Sequence, residues 1–154
     1  MSASISVRAA WPGDIGLIRM LDAEARGPAK AQALTRQIGF GMSWIGEIDG
    51  VGAAYAIVTP SFFTRPFVER VFVAEPFRRK GLASAILQRC ESAYHSNELY
   101  ISANASHASM RAVLAKAEYQ DSGVILGLDD GDPELIYVKR RTPNLTFVKF
   151  RAQA

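Results

Sequence analysis

The sequence holds a single cysteine, Cys90, so no disulfide can form within the chain. Without a second thiol there is neither a disulfide framework nor a cysteine-rich zinc module. Histidine is nearly as scarce. His95 and His107 are too few and too isolated to read as a metal site. Long apolar runs are missing as well. The least polar stretch, Val51 to Phe63, carries Thr59 and Pro60 and is too short to cross a bilayer. The opening residues, Met1 to Arg8, lack a basic segment followed by an apolar run, so no secretory signal is read there. The expectation is a soluble, cytoplasmic protein with no membrane partner. No repeat, low-complexity tract or linker divides the chain.

What is present is the composition of a folded domain. Of 154 residues, 49% are hydrophobic and 21% charged, which excludes disorder and fits one domain over 1–154. The net charge of +3 is uneven. Residues 139–154 hold five basic side chains and no acid, which leaves the rest of the chain at −2. This basic C-terminal segment reads as a solvated end rather than a nucleic-acid site, because its only interleaved aromatics are Phe147 and Phe150.

Hydrophobic periodicity orders the elements. Ile5 to Arg8 alternates as a strand. Ile15, Ile18, Leu21 and Ala25 recur at helical spacing from Pro12 to about Gly27, and Ala31 to Ile38 suggests a shorter second helix. Met42 to Ile48 and Val51 to Val58 flank Asp49-Gly50, a strong hairpin signal. Pro60 and Pro66 frame a loop, and Phe67 to Val73 is a strand. Gly81 to Tyr94 is a helix, Glu98 to Ala103 a strand, and Ser106 to Ala117 a helix. Val124 to Leu128 and Leu135 to Lys139 form a closing hairpin, and Leu145 to Phe150 suggests a last strand. The order β-α-α-β-β-β-α-β-α-β-β describes a mixed α/β (α+β) layer, not a doubly wound dinucleotide fold.

The sharpest chemical feature runs from Val71 to Ser84. A β-rich strand ends in a proline-containing turn, a basic small-residue loop follows, and a helix begins. The first amides of a helix lack intrahelical partners and its dipole is positive there. Gly81 and Ala83 permit close backbone approach, and Arg78, Arg79 and Lys80 add charge. These features make a pyrophosphate cradle, or an ordinary helix start behind a solvated basic turn. The spacing is not that of a Walker loop.

Arg78-x-x-Gly81-x-Ala83 matches the R/Q-x-x-G-x-G/A signature of the GNAT superfamily of N-acetyltransferases. The element order resembles that fold along nearly the whole chain. The resemblance implies a mixed sheet with a splayed central strand pair, and acetyl-CoA as cofactor. It implies that the backbone amides of Arg79, Lys80, Gly81, Leu82, Ala83 and Ser84 hold the pyrophosphate. The backbones of Val71 and Val73 would pair with the pantetheine arm like an added strand. An amide near Phe72 would face the thioester oxygen. Asn104 would contact the cofactor arm, or else cap a turn.

Amine acetylation needs a neutral nucleophile, so a protonated alkylamine must first lose its proton. Glu69, two and four residues before Val71 and Val73, is expected on their strand face and is the candidate base. The alternative is a solvated strand end or a pair with Arg65. Phe62 and Phe63, in the proline-framed loop, are candidate substrate contacts, and Trp44 and Tyr55 candidate lining. The family's usual general acid, a tyrosine, falls at Leu114, and Glu118 stands where glycine is usual. His107, Ser106, Ser109 or water would then serve. These departures carry an alternative, an acyl-CoA-binding module without turnover. Pairing of the last strand across a two-fold axis would give a homodimer.

Overall fold

The computed structural model describes residues 2–40, 42–94 and 96–141. Seven strands form one mixed sheet: β1 (Ile5–Ala9), β2 (Met42–Ile48), β3 (Val51–Phe62), β4 (Arg65–Val73), β5 (Glu98–Asn104), β6 (Gln120–Ile125) and β7 (Glu134–Arg140). Their spatial order is β1-β2-β3-β4-β5-β7-β6. The helices are α1 (Ile15–Leu21), α2 (Pro28–Phe40), α3 (Leu82–Ala93) and α4 (Ala108–Lys116). This is the element order expected from the sequence. The strand expected at Leu145 to Phe150, and the dimer contact through it, lie outside the described residues. No helix among the described residues is long and apolar enough to cross a membrane.

The sheet separates two apolar layers. On one face α3 and α4 pack Leu82, Ile86, Leu87, Cys90 and Leu114 against Ala54, Ala56 and Val58 of β3. On the other, Ile18, Leu34 and Ile38 of α1 and α2 cover Ile45, Tyr55 and Ile57. Alternation along β3 sends even and odd positions to opposite layers. Gly46 lets α3 lie close, since a Cβ there would come 2.8 Å from Ile86 Cδ1.

Two turns depart from the sequence expectation. The first helix does not run from Pro12 to Gly27. It stops at Leu21, Asp22 is extended, and a 3₁₀ turn occupies Ala23–Arg26. Asp22 accepts the Glu24 amide at 3.0 Å, so its carboxylate caps the new turn instead of continuing the old helix. Pro60 and Pro66 also frame no loop. β3 continues to Phe62 and β4 begins at Arg65, with only Phe63 and Thr64 between, both at positive φ. Pro60 is tolerated within the strand because the register shifts between Thr59 and Phe62, where a missing N–H breaks no ladder bond.

One junction in the sheet positions everything that follows. Among the described residues β4 and β5 are its only parallel neighbours, and they pair only at Phe67–Tyr100 and Val68–Ile101. Beyond Val68 the two strands diverge, which leaves a gap in the middle of the sheet.

Candidate active site

The gap between β4 and β5 is a cavity of about 140 Å³, walled by Val71 on one side, Ser102 and Asn104 on the other, and His107 and Met110 of α4. The Ala74 amide donates to the Ala53 carbonyl at 2.9 Å, and Ala54 faces Val73. Antiparallel alternation then turns the N–H and C=O of Phe72 toward β3, and those of Val71 and Val73 into the gap. Of the expected backbone contacts, the N–H and C=O of Val71 and the N–H of Val73 are therefore open, while the Val73 C=O accepts from Arg78. The contact expected near Phe72 is corrected. The Phe72 amide is spent within the sheet, and its ring packs 5.8 Å from that of Tyr55. The amide that the register turns into the gap is that of Val71.

Beyond β4 the chain makes a 3₁₀ turn at Glu75–Phe77, then a loop into α3. Arg79 sits at φ +61° and Gly81 at φ +85°. A left-handed residue at the helix entrance favours glycine, which explains Gly81 better than close approach does, since a Cβ there meets only Ile5 at 3.9 Å. The first intrahelical bond is Ala85 N–H to the Gly81 carbonyl, so the amides of Leu82, Ala83 and Ser84 precede the ladder. The Leu82 side chain is buried in the core, so only its backbone is left for a ligand. Arg79 and Lys80 are exposed. Arg78 is also exposed, but its Nε donates to the Val73 carbonyl at 2.9 Å and ties the loop to the end of β4. Asn104 donates to Asp129 at 2.7 Å, which anchors the loop between β6 and β7 beside the gap.

Glu69 is where the structure departs most from simple alternation. Ile57 pairs with Arg70 and Val58 with Val68, so Glu69 is an extra residue in β4. This β-bulge turns it away from the layer that holds Val71 and Val73. Its carboxylate instead accepts hydrogen bonds from Gln37 of α2, from Thr59, and from Ser61 at 2.7 Å. The alternative pair with Arg65 does not form, because Arg65 bonds Glu98 at 2.9 Å.

On the α2 side of the bulge lies a second cavity, of about 180 Å³, lined by Lys30, Gln37, Tyr55, Glu69 and Arg70. Glu69 and Arg70 line both cavities. Beneath the second cavity is a cluster that the sequence reading did not find. Asp22 is 2% exposed and accepts from the Tyr55 hydroxyl at 2.5 Å and from Arg70 Nη2 at 2.7 Å. Burial alone would raise the Asp22 carboxyl, but the Tyr55 and Arg70 hydrogen bonds outweigh it and hold the group below the usual carboxylate range. Burial, with Asp22 beside it, pushes the Tyr55 hydroxyl up. No local motif marks this cluster, because its members come from three separate segments.

Other expected contacts lie elsewhere. Phe62 stacks on Phe67 at 5.2 Å and packs tilted against Tyr100 at 5.0 Å, Phe63 is exposed at the hairpin tip, and neither lines the two cavities. Trp44 faces the α3 layer under Arg89, away from the α2 cavity. Leu114 is fully buried in the core.

A sequence model of the acetyltransferase (GNAT) family matches residues 15–127. The chain belongs to the GNAT family of acetyltransferases. No curated protein sequence matches it. An acetyltransferase of the GNAT family from Bacillus cereus is 25% identical, with a TM-score of 0.83, over 90% of this chain and 98% of that one. The ribosomal-protein-S18-alanine N-acetyltransferase from Escherichia coli shares the fold at 16% identity and a TM-score of 0.73, over 94% and 100% of the two chains. So does a protein from Salmonella typhimurium solved with its cofactor acetyl-CoA, at 18% identity and a TM-score of 0.65, over 88% and 93%. In the GNAT family acetyl-CoA binding is the norm. The split in this sheet, the open backbone of Val71, the free N–H of Val73 and the unpaired start of α3 fit that cofactor.

Proposed function

We propose that this GNAT protein transfers the acetyl group of acetyl-CoA to a primary amine by direct attack, with Glu69 as the group that accepts the amine's proton. One observation carries the reading: Glu69 stands in the wall common to both cavities. A donor in the strand gap and an amine in the α2 cavity would meet beside it.

The residues divide the work. Val71 offers its backbone N–H and C=O, and Val73 its N–H, to an extended arm, as strand addition requires. The amides of Leu82, Ala83 and Ser84, with Arg79 and Lys80, face a diphosphate. Acetyl-CoA supplies an activated acyl carbon and a thiol leaving group. The Val71 N–H, fixed by the sheet, donates where negative charge develops. Glu69 holds three hydrogen bonds and keeps an acceptor position for the amine proton, directly or through one water. A thiol of pKa about 8.5 departs without a strong acid, so Leu114 in place of a tyrosine is compatible with turnover. His107, at the start of α4, is the imidazole in the gap wall.

Leu114 also favours a second reading, an acyl-CoA-binding module that does not turn over. Incubation of the protein with acetyl-CoA and a panel of primary amines separates the two. Amine-dependent thiol release supports transfer, whereas a thermal shift with acetyl-CoA but no release supports the module.

A further inference from the structure

We propose that the α2 cavity takes an amino acid with a free carboxylate, its amine toward Glu69 and its carboxylate toward Arg70 and Lys30. This rests on the acetyl-transfer reading and names its acceptor. Two consecutive residues of opposite charge across the bulge, Glu69 and Arg70, line the same cavity. That pair is complementary to a molecule that carries both an amine and an anion.

The cationic half is built with care. Asp22 takes two hydrogen bonds from one edge of the Arg70 guanidinium, at 2.7 and 3.2 Å, and one from Tyr55. A buried carboxylate is costly unless paired, and here it orients a single guanidinium. Among the described residues nothing accepts from Arg70 Nη1, so that nitrogen stays available to a carboxylate, beside Nη2, which Glu24 also reaches. Lys30 is a second cation on the wall and has no acceptor among the described residues. It lies in the first turn of α2, where a lysine opposes the helix dipole. An anion there would satisfy both lysine and dipole.

The acids of the wall do not cancel this. Asp22 is committed beneath Arg70, with Oδ1 taken by the Glu24 amide. Glu24 reaches Arg70 at 3.2 Å, but its side chain is 68% exposed and the pair is weak. Lys30 and Gln37 are seven residues apart on α2, about 10 Å by helical rise, and Arg70 lies on the same wall. A peptide N-terminus would present an uncharged amide where a free amino acid presents its carboxylate.

The test uses the full chain with acetyl-CoA. The twenty amino acids are compared with their amides by thiol release. The proposal expects at least one free acid with kcat/KM about tenfold or more above its amide, as one charge-assisted hydrogen bond provides. Arg70→Gln and Lys30→Gln should each raise KM for the acid and shrink that ratio. Lys30 is exposed, so its variant keeps the test valid if Arg70→Gln fails to fold. Amides turned over as well as the acids, or better, would overturn the inference and leave acetyl transfer standing. No thiol release with any amine would overturn both.

Discussion

Glu69 and Arg70 are adjacent in sequence, yet both line the cavity beside α2, because β4 carries one residue more than β3 between Ile57 and Val58. Strict alternation would have sent them to opposite faces. The extra residue brings a carboxylate out of the layer of Val71 and Val73 and to the wall between two cavities. Bulges recur beside active sites for this reason: they re-aim a side chain through a local bend in the strand.

If Glu69 takes the amine proton, Glu69→Gln keeps the geometry and loses the base. We expect kcat to fall by about 10²-fold near neutral pH. The deficit should shrink as pH approaches the amine's own pKa, because the free amine then needs no base. Rates across pH for both proteins check this. A pH-independent ratio near one would remove Glu69 from the mechanism.

The Asp22 cluster should be a stability determinant with a definite pH sign. Asp22 is held below its ordinary range, so its contribution is full above the unfolded pKa near 3.9 and is lost as pH falls through the folded value. Asp22→Ala leaves the Tyr55 hydroxyl without its acceptor and Arg70 with only the exposed Glu24. A cost of about 3 kcal/mol, at the low end because Arg70 is partly exposed, lowers Tm by roughly 6–12 °C. Thermal unfolding at pH 7 and pH 3 of both proteins measures it, and the difference between them should narrow at the lower pH.

Cys90 should be inert in the folded protein. Burial pushes its thiol up to about 12, and Glu91 adds to the effect. Iodoacetamide at pH 8 should leave native protein unmodified and label it fully in denaturant. Rapid native labelling would contradict the burial of this helix face.

The start of α3 can be tested apart from catalysis. Ala83→Glu puts an acid in the first helical turn, which suits the dipole and should leave the ligand-free Tm unchanged or slightly raised. The same charge opposes a diphosphate. Acetyl-CoA at about 100 times its dissociation constant should raise the wild-type Tm by roughly 5–10 °C, and the variant's by far less.

Much of this architecture is legible in the sequence, for physical reasons that differ from place to place. Asp49-Gly50 is read correctly because both residues sit at positive φ in a two-residue turn, a conformation with a narrow residue preference. Arg78 to Ala83 is read because a left-handed Gly81 and a helix start leave local marks. The bulge at Glu69 leaves none, since one inserted residue changes neither composition nor apolar density. The break at Asp22 is equally silent. Helical spacing from Ile15 to Ala25 is intact, and only tertiary partners, Tyr55 and Arg70, pull the carboxylate inward. Phe62 and Phe63 read as substrate contacts while the prolines read as loop ends. The hairpin instead places Phe62 on Phe67 and Tyr100.

The most direct test of the central claim is acetyl transfer itself. Wild-type protein and Glu69→Gln are mixed with acetyl-CoA and a primary amine at pH 7, and thiol release and the mass of the amine are followed together. The account predicts one thiol released for each amine that gains an acetyl group, with the rate sharply reduced in the variant. Acetyl-CoA bound but never consumed in the presence of any amine, or acetylation equally fast in Glu69→Gln, would contradict it.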